Sequence, residues 1–363
     1  MKKSKLDLIL LFAVIMISLF GVMMIYSSSS IWAEYKFNNP YKYLITQSVF
    51  LVVGTILMII ISKISYTYYL DKANTLLFGC FVLLILVIIP GIGTIRNGSR
   101  SWFGIGGFGI QPSEFMKLAM IVFVSKYLYK NNKDIKNIKK GILPILGVTL
   151  FAFGLIMLQP DFGTGVILVM CIIGLLFISG VNMKFFLILG IFGVIGATLL
   201  IIIAPYRFQR ILSFLNPWLD PLGTGFQAIQ SLFAIGPGGL LGLGLGNSIQ
   251  KHFYLPEPQT DFIFSIISEE LGFLGIIIVS ALFLTIIYRG IKISLNSRDL
   301  FSKYLSFGII FQISFQALLN LMVVVGLIPI TGVTLPFLSY GGSSLLITLC
   351  EMGILLNISR YNK

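Results

Sequence analysis

A carboxylate stands at the mouth of an apolar run in the segment Lys251-His252-Phe253-Tyr254-Leu255-Pro256-Glu257-Pro258-Gln259-Thr260-Asp261-Phe262-Ile263-Phe264. Partly desolvated at a lipid boundary, such a group is tuned toward neutral pH and suits a general base. Asp261 is therefore the candidate catalytic residue, with Glu257 and Thr260 beside it. The plain structural alternative is that Thr260 and Asp261 cap a helix starting near Phe262. Glu269 and Glu270 follow on the same helix, roughly two turns deeper. Charges at that depth are costly, so one of them should face a polar interior and meet a Lys, an Arg or backbone donors. A purely structural pair fits equally well.

Other residues supply positive charge and hydroxyls. In Gln111-Pro112-Ser113-Glu114-Phe115-Met116-Lys117, Glu114 and Lys117 share a helix face at i, i+3. An internal ion pair is the plain reading, and contact between Lys117 and a substrate phosphate is the sharper one. Ser99-Arg100-Ser101-Trp102 offers a cation and a ring suited to pyrophosphate or to lipid headgroups. Arg207 and Arg210 open a long polar segment that runs on into the glycine-dense stretch 236–246. No strand-glycine-helix pattern and no Gly-Lys-Ser/Thr ending mark that stretch as a nucleotide cradle, so it reads as a re-entrant or interfacial loop. Gln159-Pro160-Asp161-Phe162-Gly163-Thr164 forms a tight hairpin whose Asp and Thr act as caps. The polar turn from Pro329 to Ser344, with Ser339 and Ser343, has hydroxyls that could line a cavity, but the spacing around Ser343 is wrong for a nucleophile elbow.

Absent motifs narrow the chemistry. There is one histidine, no zinc-type Cys/His spacing, no His-Glu-x-x-His and no P-loop, which disfavours metal hydrolases and ATP-driven pumps. Cys80, Cys171 and Cys350 each lie within an apolar run and read as packing residues. The motifs point to no certain cofactor; a divalent cation (Mg or Mn) bridging phosphate to carboxylates stays open.

The elements that must position these residues are membrane helices. With 57% hydrophobic and 11% charged residues over 363 positions, the chain is too apolar for a water-soluble domain. Apolar runs place helices near 7–26, 46–64, 74–91, 113–130, 141–159, 162–180, 185–204, 263–288, 304–324 and 343–358, about ten spans in one transmembrane domain. With the N-terminus inside, inner segments hold eighteen of the twenty-six basic residues and outer segments seven, Lys117 lying within a helix. Both termini are thus cytoplasmic. The basic residues are spread over short loops, so the net charge of +13 is not a nucleic-acid surface. The outer side carries the two longest polar segments, 92–112 and the loop 205–262 between the seventh and eighth helices. Function belongs there.

The chain resembles the SEDS family (shape, elongation, division and sporulation; FtsW, RodA and SpoVE). The likeness rests on Asn97 to Trp102 with Gln111 to Glu114, on Gln159 to Thr164, Arg207 through Pro221, Leu255-Pro256-Glu257 with Thr260 to Phe264, Glu269 to Gly272, and Leu335 to Ser344. The wording around Tyr254 to Thr260 is closer to the division and sporulation branch. The resemblance implies an all-α, polytopic protein of the bacterial plasma membrane. It also implies peptidoglycan glycosyltransfer: lipid II joined into β-1,4 glycan strands outside the membrane, alongside a class B penicillin-binding protein. Asp261 matches the family's essential external aspartate. Lys117, Arg100, Arg207, Arg210 or a divalent ion would then steady the pyrophosphate leaving group. The alternatives are a lipid II flippase, which wants ionisable groups through the bilayer midplane, and a scaffold for the penicillin-binding protein.

Overall fold

Long apolar runs without water-facing polar stripes can satisfy their backbone in lipid only as helices, and helices dominate the computed structural model, which describes residues 6–96, 98–105, 108–135, 137–203 and 205–361. In chain order they are α1 (Leu8–Phe37), α2 (Lys42–Ile61), α3 (Thr67–Ile88), α4 (Pro112–Lys130), α5 (Leu143–Met157), α6 (Phe162–Ile178), α7 (Met183–Ile203), α8 (Pro205–Leu215), α9 (Phe226–Ile235), α10 (Ile263–Leu295), α11 (Leu300–Val324) and α12 (Gly342–Ser359). Seven of the described helices are long and apolar enough to cross a membrane, and α6 and part of α7 are shorter apolar helices. The remaining long helix, α4, has 19 residues and carries Glu114, Lys117, Lys126 and Lys130. Each predicted span overlaps a helix, with ends that differ by several residues. The protein is a polytopic, all-α membrane protein.

Three features depart from the sequence reading. Residues 94–110 form a small antiparallel sheet, β1 (Thr94–Arg96), β2 (Ser99–Ile105) and β3 (Phe108–Ile110), in that order. The loop 205–262 is also partly helical, holding α8 and α9. The first helix overruns its predicted end at residue 26 and continues to Phe37. Within the extension Ser28 and Ser29 donate their hydroxyls to the Ile25 carbonyl, at 3.2 and 2.6 Å, one turn back.

Helix α12 is buried along nearly its whole length, whereas α2, α3 and α10 each bury only a stripe. It packs on α2, and α11 packs against α4, α6 and α10. The outward faces display Phe12, Phe78, Leu150, Leu187 and Leu284, which lipid solvates. One end of the bundle is closed by Asp7 and Arg289, paired at 2.6 Å, and by the Tyr66 hydroxyl donating to Asp299 at 2.6 Å. Asp7 also caps α1 and Asp299 caps α11. The opposite end carries the sheet, the long loop and the residues singled out above.

Candidate active site

The chain reaches Asp261 through a loop gripped by its own next helix. Helix α10 is broken at Gly272, whose φ of 61° and ψ of −153° suit a residue without Cβ. The break frees backbone groups, and the glycine-dense loop takes them up. Leu243 and Gly244 donate N–H to the carbonyls of Glu269 and Glu270 at 2.9 and 3.0 Å, and Phe273 donates to Gly239 at 2.9 Å. A Cβ on Gly242 would lie 2.1 Å from the Glu270 carbonyl oxygen, so the density of glycine in this loop is the condition for backbone to meet backbone.

The two buried glutamates complete the grip. Glu269 accepts from the Ser248 hydroxyl at 2.5 Å and from the Ile249 N–H at 2.8 Å. Glu270 accepts from Ser27 on α1 at 2.6 Å and pairs with Lys251 at 3.1 Å. Lys251 also donates to the Gly246 carbonyl. Glu270 therefore meets a lysine and Glu269 meets backbone donors.

Asp261 emerges just beyond this clamp. It does not cap α10: the N-cap residue is Phe262, with no side-chain cap bond, and the Thr260 hydroxyl donates to the Glu257 carbonyl at 2.8 Å. The Asp261 backbone carbonyl is fixed by Asn320 of α11 at 2.7 Å, and the same amide holds the Val333 carbonyl at 2.8 Å. Its carboxylate lies against Gly332, where a Cβ would come within 3.8 Å. Arg210 of α8 reaches the same turn and donates to the Ile330 carbonyl at 3.0 Å. Burial pushes the Asp261 carboxyl up to about 6, helped by the negative charge of Glu257 and opposed by Arg210. A partly buried carboxylate so tuned is charged at neutral pH yet still basic.

The other residues fall in three groups. Glu114 and Lys117 form the expected ion pair at 2.9 Å, and Lys117 also donates to Gln316 at 2.9 Å. Ser339 and Ser343 serve backbone: Leu335 N–H donates to Ser339 at 2.8 Å, and Ser343 donates to the Gly109 carbonyl of β3 at 2.7 Å. Arg100 sits in β2 opposite Ile95, and the side chain of Arg207 lies outside the described residues. Asp161 caps α6 and also accepts from Gln111 at 2.8 Å. The described residues contain no group of three or more His, Cys, Asp or Glu that could hold a metal ion.

Several contributors escaped the sequence reading: Ser27, Ser248, Glu351 and the amides Gln312, Gln316 and Asn320. Gln312 donates to Glu351 at 2.9 Å and Gln316 to the Thr334 carbonyl at 3.0 Å. The amides recur every four residues on α11, a polar stripe inside an apolar helix, and that spacing was the available signal.

These features define a polytopic membrane protein whose polar end presents one tuned carboxylate on a clamped loop. Residues 7–363 match the FtsW/RodA/SpoVE family, described as cell cycle proteins, and the chain belongs to that family. Stage V sporulation protein E of Bacillus subtilis (strain 168) is 50% identical over 362 residues, 100% of this chain and 99% of that protein. The probable peptidoglycan glycosyltransferase FtsW of Geobacter metallireducens is 40% identical over 357 residues, 98% of this chain and 95% of that one. A chain from a peptidoglycan synthase complex that coordinates polymerization and crosslinking superposes with a TM-score of 0.81 at 32% identity, covering 99% of both chains. The rod shape determining protein RodA of Thermus thermophilus gives 0.73 at 28% identity, again over 99% of both.

Proposed function

We propose that this chain is a membrane-embedded peptidoglycan glycosyltransferase that polymerises lipid II at the outer face of the plasma membrane, with both termini cytoplasmic. The observation that carries the reading is Asp261: a carboxylate raised to about 6 by burial, on a loop locked from three sides. In this reaction Asp261 takes the proton from the acceptor sugar's C4 hydroxyl as that oxygen attacks the donor's anomeric carbon. The bond from that carbon to the pyrophosphate oxygen breaks, its electrons leave with undecaprenyl pyrophosphate, and inversion gives a β-1,4 link. Arg210, close enough to lower the Asp261 pKa, is the nearest assigned cation for the developing negative charge. Any divalent ion would find part of its shell in the substrate's own phosphate oxygens.

Relatives at 50% and 40% identity along nearly the whole chain support the activity, and the synthase-complex relative supports a class B penicillin-binding protein as the partner. The test is glycan-strand formation from lipid II without ATP, using the full chain with such a partner made transpeptidase-inactive. Asp261→Ala, folded and equally abundant, should lose about 10²-fold or more in rate, the usual weight of a general base. Equal polymer from both chains would remove Asp261 from the chemistry.

A further inference from the structure

Two neighbouring helices locate the bilayer independently. Crossing the hydrocarbon takes ~20 helical residues; that length counted along α1 from Leu8 ends at Ser27, and counted back along α10 from Arg289 it ends at Glu270. The starting points are tied by the Asp7–Arg289 ion pair at 2.6 Å, and the end points by the Ser27 hydroxyl, which donates to Glu270 at 2.6 Å. The hydrocarbon boundary at the polar end therefore runs through the Ser27–Glu270 level. We propose that the loop 236–246 is a lipid wedge: it passes this boundary and seats Leu240 and Leu241 among the acyl chains of the leaflet at the polar end.

Backbone geometry sets the depth. Phe273 and Leu274 donate N–H to the carbonyls of Gly239 and Leu240 at 2.9 and 3.1 Å. The tip of the loop thus lies beside residues three and four positions past Glu270, roughly 5 Å inside the boundary at the rise of an α-helix. There Leu240 and Leu241 are 75% and 76% exposed, next to Phe273 and Leu274 at 52% each, and they extend the lipid-facing stripe of α10. Composition agrees with this depth. From 236 to 246 the loop is built of glycine, proline and leucine alone, and residues 221–250 hold no Asp, Glu, Lys, Arg or His. Backbone in hydrocarbon must find its partners within the protein. Here the Gly239 and Leu240 carbonyls accept from α10, and the N–H groups of Gly242, Leu243 and Gly244 donate to the carbonyls of Gly238, Glu269 and Glu270.

The depth also selects the occupant. A water-soluble domain of another protein does not reach below the boundary, whereas acyl chains already cover the α10 stripe that the two leucines continue. The consequence falls on Asp261. The segment that carries it joins α10 at Ile263, seven residues before Glu270 and so roughly 10 Å outside the hydrocarbon. With its leucines held by the leaflet and its backbone bonded to α10, the wedge fixes the height of the Lys251–Asp261 segment over the bilayer.

The test uses the purified full chain, without a partner, in vesicles of phosphatidylcholine and phosphatidylglycerol, with bimane attached to Leu241→Cys. The three native cysteines are buried, so the native chain serves as the labelling blank. Phe78→Cys, on the lipid-facing side of α3, and Tyr35→Cys, on α1 beyond Ser27, are the references for lipid and for water; both native side chains are exposed. Brominated phosphatidylcholine should quench bimane at Leu241→Cys about as strongly as at Phe78→Cys. Iodide, present on both sides of the vesicle, should quench it several-fold less than at Tyr35→Cys. Leu240→Cys should behave alike, and it reads the same depth if Leu241→Cys does not fold. Iodide quenching at the Tyr35→Cys level, with none by bromolipid, would overturn the wedge. So would bromolipid quenching that disappears when a class B penicillin-binding protein is reconstituted alongside, because the leucines would then be a protein contact.

Discussion

At the scale of single residues, Asp261 combines two demands that conflict. A base must shed its own proton to act, and burial resists exactly that step. The folded-state value is raised from 3.8 to about 6, so between those values the folded chain binds more protons at this site than the unfolded chain does. Its stabilising contribution is therefore complete below about pH 4 and is lost as pH rises through about 6. Activity moves the other way, rising as pH passes about 6 and the carboxylate forms. Asp261→Asn separates the two effects. Thermal unfolding should show the variant more stable than the native chain at about pH 8 and indistinguishable at about pH 4, with no polymerisation at either. A variant less stable at the higher pH would mean that the ionised carboxylate is held by partners that outweigh its burial. The glutamates Glu269 and Glu270 illustrate the opposite use of a buried carboxylate, since their oxygens are taken up by Ser27, Ser248, Lys251 and backbone N–H groups.

At the scale of elements, the clamp between the glycine-dense loop and α10 is what turns a polar segment of nearly sixty residues into a positioned site. Its ion pair is buried, with Lys251 and Glu270 side chains 5% and 0% exposed. Removing one partner strands the other, so Lys251→Met should destabilise the protein by about 3–5 kcal/mol. Adding Glu270→Gln should recover much of the loss, and a double-mutant cycle on unfolding temperatures in detergent measures it. Additive losses would mean that the pair is not coupled. The sequence was informative about helices because a span announces itself by twenty local residues. It singled out Asp261 because a carboxylate at the mouth of an apolar helix is conspicuous. The clamp was invisible for a physical reason: Ser27 and Glu270 are 243 positions apart, and no local spacing encodes such a meeting. The sheet at residues 94–110 was missed because its short strands, rich in glycine and serine, lack the period-two alternation that marks a half-buried strand. The first helix was expected to end near residue 26, just before the serines at 27–30. The Ser28 and Ser29 hydroxyls instead return to the Ile25 carbonyl one turn back, and Ser27 reaches across to Glu270.

At the scale of the whole molecule, polar groups extend well inside the bundle. Glu351 lies in the middle of α12 and is fully buried, with Gln312 as its donor. Glu114 and Lys117 lie on α4 beside the same helices, and Gln316 joins Lys117 to the Thr334 carbonyl. Ionisable groups at membrane depth are what a lipid transporter would use, so this cluster is the one observation that favours translocation over polymerisation. Its connections argue for scaffolding. The amide ladder Gln312, Gln316, Asn320 runs along one face of α11, from Glu351 past Lys117 to the Asp261 carbonyl. Each rung holds a neighbouring helix or turn in register, and the Lys117 charge is already matched by Glu114 at 2.9 Å. Glu351→Gln tests which role applies, because it keeps the shape while removing the ionisable group. On the scaffold account, polymerisation per folded molecule stays within about twofold of native, and stability is unchanged or higher, since a buried carboxylate is replaced by a neutral isostere. Labelled lipid II in proteoliposomes gives the second readout: a transporter would move lipid between leaflets with the native chain and stop with Glu351→Gln, whereas a polymerase leaves leaflet exchange at the protein-free rate in both. Loss of translocation in the variant would move the function of this chain from the polar end, where Asp261 sits, to the interior of the bundle.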